Sequence, residues 1–208
     1  MMPFRTVIRG NLEKIKALDI DIIAPSHGPL YDKPDFIMEA YRDWVSGPCK
    51  NEVVIAFVSM HQSTQVMVEA LIDALAGCCV TVKPFNLSVT DTGKLAIALV
   101  DAATLILASP TIHIGLHPVA MYAAALVNAL RPKLKYVGFM GSYGWSSKAV
   151  EQASALLPNI KAEFFEPILA RGLPTSKEFA AIKQLAVQIA EKHKTDGILK
   201  WNGANGNV

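Results

Sequence analysis

Val53-Val54-Ile55-Ala56-Phe57-Val58 runs straight into Ser59-Met60-His61-Gln62-Ser63-Thr64, and that junction decides the fold. A short apolar run rich in β-branched residues suits a strand buried on both faces. The hydroxyl-rich stretch behind it suits the start of a helix. Two more junctions repeat the pattern. Thr104-Leu105-Ile106-Leu107-Ala108 enters Ser109-Pro110-Thr111-Ile112-His113-Ile114-Gly115, and Tyr136-Val137-Gly138-Phe139-Met140 enters Gly141-Ser142-Tyr143-Gly144-Trp145-Ser146. In an open parallel sheet such loops gather at the carboxyl ends of the strands, where doubly wound folds bind their ligands. One loop offers hydroxyls and amides, and the other two carry Gly, Pro, Tyr and Trp. That set suits a phosphate joined to a flat aromatic ring, which makes flavin mononucleotide (FMN) the first ligand to test.

The rest of the chain after residue 50 alternates accordingly. Residues 64–76 carry apolar side chains at helical spacing up to Gly77, and 79–85 reads as a second strand. Asp91 is placed to cap a helix over 92–100. A helix over 117–130 tolerates Pro118 in its first turn and stops before Pro132. Ser146 or Ser147 can cap a helix reaching Leu157, 160–165 reads as a fifth strand, and 175–193 is a closing amphipathic helix. The expectation is an α/β, doubly wound, five-stranded parallel sheet of order 2-1-3-4-5 with helices on both faces, because each parallel return needs a crossover. Residues 1–48 fall outside this rhythm: an amphipathic stretch over 5–18, a short strand at 20–24 and a helix over 34–45, closed by the linker Ser46-Gly47-Pro48. The division expected is 1–48, 49–195 and a flexible tail over 196–208.

Composition narrows the class. The 208 residues are 51% hydrophobic and 18% charged, enough for a core and against disorder. A net charge of +2 without basic–aromatic clusters argues against nucleic acid. No apolar run approaches the ~20 residues that span a bilayer, and no secretory leader is evident, so a soluble cytoplasmic protein is expected. Cys49, Cys78 and Cys79 lie at neither metal nor redox-motif spacing and read as reduced, inert thiols.

Pro25-Ser26-His27-Gly28-Pro29, Ser109-Pro110-Thr111 with Gly115, and Gly141-Ser142-Tyr143-Gly144-Trp145 together resemble the carboxyl-terminal half of the flavodiiron proteins. Those enzymes join a metallo-β-lactamase-like diiron domain to a flavodoxin-like FMN domain and reduce dioxygen or nitric oxide. The resemblance implies that 1–48 is a remnant of the first domain and that His27 is its last iron ligand. The upstream His-x-Glu-x-Asp-His cluster is missing, so the chain reads as part of a longer protein. One imidazole does not make a di-metal site. The implied function is electron transfer through FMN, with electrons arriving from a reductase, a rubredoxin-like protein or reduced deazaflavin. In the family they pass to the diiron centre of a neighbouring subunit in a head-to-tail dimer. The chain alone is not expected to catalyse the iron-site reaction. A degenerate interaction module without flavin and a stand-alone flavoprotein reductase are the alternatives, the latter without a Gly-x-Gly-x-x-Gly fingerprint.

The resemblance assigns flavin contact to Ser59, Met60, His61, Gln62, Ser63 and Thr64, to Ser109, Pro110, Thr111, Ile112, His113 and Gly115, and to Gly141, Ser142, Tyr143, Gly144 and Trp145. Two positions depart from the family pattern. The first loop has His61-Gln62 where Trp-Gly is usual, and His113 stands where Asn is common. A left-handed backbone at Gln62 would add strain of ~1–2 kcal/mol, and weakened phosphate capture with incomplete FMN occupancy is the expectation. Competing readings have Ser63 or Thr64 simply capping the helix, and Trp145 packing on the next one. His113 and His117 make a weak metal pair, and His193 reads as solvated near its helix end.

Overall fold

The computed structural model describes residues 2–199, and the chain divides between Pro48 and Cys49 into two compact units. In the first, α1 (Arg5–Ile15) packs on α2 (Pro34–Ser46) through Leu12, Met38 and Val45. Pro34 opens α2, where its missing N–H costs nothing. The strand expected at 20–24 is absent. Only an isolated antiparallel bridge joins Ile23 to Tyr31 there, around a turn in which Gly28 takes φ 102°.

The second unit is built on strands β1 (Lys50–Phe57), β2 (Thr81–Asn86), β3 (Ala102–Ile112), β4 (Gly115–Leu116), β5 (Tyr136–Tyr143), β6 (Glu163–Phe164) and β7 (Ile168–Arg171). Its helices are α3 (Ser63–Gly77), α4 (Thr92–Ala98), α5 (Pro118–Leu130), α6 (Ala149–Ala155) and α7 (Ser176–Thr195). The sheet runs β2-β1-β3-β5 with parallel neighbours, and β6 and β7 both pair with the far edge of β5. This is the flavodoxin-like doubly wound arrangement. Two details differ from the sequence reading. The fifth strand, expected over 160–165, is split. Pro167 has no N–H for the ladder, so pairing lapses after Phe164 and resumes at Ile168. The third strand outruns Ala108 to Ile112 and turns back as the antiparallel β4.

Alternation explains why the apolar runs are continuous. Val53, Ile55, Ile106 and Ala108 face a core shared with Met67, Leu71 and Leu75 of α3 and Ile182, Leu185 and Ile189 of α7. Val54, Ala56, Leu105 and Leu107 point the other way and are equally buried, as a sheet covered on both faces demands. The caps follow local chemistry. Asp91 Oδ1 accepts from Gly93 N at 2.6 Å, and Thr175 and Glu178 form a reciprocal capping box on α7.

His193 is the clear correction. Its exposure is 0%, not that of a solvated helix end. Nε2 lies 2.8 Å from Thr104 Oγ1 on β3, and Nδ1 lies 2.8 Å from Asn51 Oδ1 on β1. Because the Asn51 amide donates to Cys79 O, its oxygen accepts from Nδ1–H, and Nε2 takes the Thr104 proton. Burial favours that neutral form and lowers the imidazole pKa to about 4, with Lys135 acting in the same direction against Asp196. Asp196, placed by the sequence reading at the start of a flexible tail, instead accepts from Tyr136 Oη at 2.7 Å and Lys135 Nζ at 3.0 Å. Within that stretch, residues 200–208 lie outside the described residues.

Candidate functional site

The site begins where β1 hands over to α3. Gln62 occupies the cap position with φ 65° and ψ −15°, the left-handed conformation. Its carbonyl accepts from Val66 N at 2.9 Å, so this turn is how the helix starts. The Gln62 side chain does not cap α3, and neither Ser63 nor Thr64 occupies the cap position expected of them. Ser59 Oγ reaches Gln65 N at 3.3 Å, while the amides of Ser63 and Thr64 have no partner among the described residues. The first turn holds no acidic residue. A helix start with free amides and no competing carboxylate is an anion site in waiting.

The second loop is a hairpin. His113 (φ 46°) and Ile114 (φ 74°) are its two central residues, both left-handed, as a type I′ turn requires. Asn and Gly are the usual occupants of such a pair, which accounts for His113 standing at a position where Asn is common. Ser109 lies below the loop: its Oγ donates to Pro110 O at 2.8 Å and accepts from His117 N at 3.1 Å. His117 Nδ1 in turn accepts from Val119 N, capping α5. Gly115 leaves room for the Gln152 side chain, whose Oε1 accepts from Leu116 N at 2.7 Å.

The third loop extends β5 past Met140, because β7 continues the ladder from Met140↔Ile168 to Tyr143↔Arg171. Gly141 belongs to the strand, where a Cβ would strike the Ser109 carbonyl. Gly144 and Trp145 project beyond it, and Trp145 is 83% exposed rather than packed on the following helix. Cross-links hold the loops together. Thr64 Oγ1 meets Ser142 Oγ at 3.4 Å and Thr111 Oγ1 meets Ser147 Oγ at 2.8 Å. Arg171 Nε donates to Gly144 O at 3.0 Å and Gly172 N to Tyr143 O at 2.8 Å.

These loops enclose a cleft of about 400 Å³, within the range of small-ligand pockets. Its wall takes Ser59, Met60, His61, Ser63 and Thr64 from the first loop and Pro110, Thr111, Ile112 and His113 from the second. Ser142, Tyr143, Gly144 and Trp145 come from the third. Gln62, Ser109, Gly115 and Gly141 shape the loops without lining the cleft. Gly172, with φ 76°, also lines it and was missed by the sequence reading. The signal was the Arg171-Gly172 pair after an apolar run too short to read as a strand. His27 lies far along the chain in the first unit, on an exposed turn beside an apolar hollow. Among the described residues no group of three or more His, Cys, Asp or Glu converges as a metal site, and no helix is long and apolar enough to cross a membrane.

No protein-family model matches the chain. A nitric oxide reductase of Moorella thermoacetica is 35% identical over 201 residues, covering 92% of this chain and 50% of the relative. Among solved structures, rubredoxin oxygen:oxidoreductase of Desulfovibrio gigas superposes with a TM-score of 0.89 at 24% identity, over 95% of this chain and 51% of that one. The flavodiiron protein of Giardia intestinalis superposes with a TM-score of 0.83 at 24% identity, over 92% and 49%. Over most of its length the chain is similar in sequence to a nitric oxide reductase and in fold to flavodiiron structures. The chain spans about half the length of the relatives it matches. An archaeal flavodoxin is matched over 99% of its own length and 69% of this chain, with a TM-score of 0.60 and 23% identity, a likeness that speaks for the fold.

Proposed function

We propose that the chain is the FMN-binding, electron-transfer part of a flavodiiron-type oxidoreductase. The observation that carries this is one cleft at the carboxyl ends of β1, β3 and β5, combining a helix start that keeps two free amides with an exposed indole. Ser59, Ser63, Thr64 and the first amides of α3 hold the phosphate, aided by the helix dipole. Tyr143 and Trp145 would pack against the isoalloxazine ring, and Gly144 would let the backbone approach it. FMN, when bound, supplies one- and two-electron chemistry, while the protein supplies position and electrostatics.

The electron donor to bound FMN would be a rubredoxin-like protein, a reductase or reduced deazaflavin, and the acceptor would be a diiron centre held by residues outside this chain in a homo-oligomer. Residues 1–48 belong to the diiron domain, and His27 becomes a ligand only when the other ligands are supplied by further chain. The cleft has one phosphate-binding helix start, so FMN should bind far more tightly than FAD in a calorimetric titration. Equal affinity for the two would defeat the assignment.

A further inference from the structure

Among the described residues the cleft wall contains no Lys, Arg, Asp or Glu, and its side chains able to become cations are His61 and His113. A phosphate brings up to two negative charges, and helix-start amides offer only partial positive charge against them. His61 sits in the first loop, between Ser59 and the free amides of Ser63 and Thr64, whereas His113 tops the hairpin on the second loop.

We propose that protonated His61 is the cationic partner of the phosphate, so that FMN affinity is linked to pH through this side chain. The inference rests on the FMN reading above. Other titratable groups face the cleft from the remaining loops. His113 and Tyr143 lie on the second and third loops, and Arg171 is tied to the Gly144 carbonyl. Along α3 the nearest carboxylate, Glu69, accepts from Gln65 Nε2 at 2.9 Å and lies beyond the first turn. Imidazole gains its proton between about pH 8 and about pH 5, so the contribution is present at low pH and lost as pH rises.

The test measures FMN affinity by flavin fluorescence in wild type, His61→Gln, His61→Lys and His113→Gln, from about pH 5.5 to about pH 8.5. Dividing wild-type by variant affinity at each pH cancels the part of the phosphate's ionisation that acts equally on both proteins. The expected ratio to His61→Gln is about fivefold at the acid end, the worth of an exposed ion pair, falling to about one at the alkaline end. His61→Lys should keep the acid-end affinity across the whole range, and His113→Gln should keep the wild-type pH slope. Riboflavin, lacking the phosphate, should show no difference between wild type and His61→Gln. A ratio independent of pH, or an equal effect on riboflavin, overturns the role of His61 alone. Failure of the wild type to bind FMN at any pH overturns the FMN assignment with it.

Discussion

Replacing Gln62 by glycine should stabilise the fold while barely changing FMN affinity. Gln62 sits at φ 65°, where an L side chain costs ~1–2 kcal/mol relative to a right-handed backbone. Glycine removes that strain but gives the unfolded chain more freedom, which offsets ~0.4–1 kcal/mol of the gain. The net is about 0.5–1 kcal/mol, or a rise of a few degrees in melting temperature for a chain of this size. The carbonyl of Gln62 accepts the first helical bond from Val66 N, so the left-handed turn belongs to how α3 begins. Its strain is therefore a cost of folding, and not, as the residue pattern alone suggests, a tenfold cost of binding the phosphate. Urea denaturation and FMN titration of both proteins separate the two cases. A glycine variant that is no more stable, yet binds FMN about tenfold tighter, would refute this reasoning.

Stability should fall with acid through His193. Its folded pKa of about 4 lies below the ordinary value of 6.5, so its contribution is complete above about pH 6.5 and lost as pH falls toward 4. The ceiling of that loss is roughly 3 kcal/mol, and urea midpoints should move less across the same pH range in His193→Gln. Trp145→Ala should weaken FMN binding by ~1–3 kcal/mol, the order of base–aromatic stacking, with unchanged circular dichroism because the exposed indole supports no core. Replacing His113-Ile114 by Asn-Gly should stabilise the fold by ~1 kcal/mol or more, read as a higher urea midpoint, since both positions are left-handed and Ile114 is β-branched.

Much of the fold was legible because parallel strands buried on both faces must be continuously apolar and must be separated by crossover helices. The runs at 53–57, 104–108 and 136–140 could be little else, and the Asp91 cap depends on Gly93 two residues away. Most of the cleft was legible for the same reason, since loops following successive parallel strands are bound to meet at one sheet edge. What failed were features whose partners lie far along the chain. Ile168–Arg171 is too short to declare itself a strand, and it becomes one only because β5 offers it a free edge. Gly172 entered the cleft wall with it. His193 read as a polar residue at a helix end, and only the approach of Asn51 and Thr104 made its burial affordable.

The sequence by itself determined the alternation of the main strands and helices, the Asp91 cap and which loops meet at one end of the sheet, because periodicity and capping are written within a few residues. Only the tertiary structure decided where β3 and β5 end and that His193 is a neutral core residue. It alone decided that the left-handed Gln62 is part of a helix start. Hydrogen-bond satisfaction across the sheet involves residues that no local pattern connects.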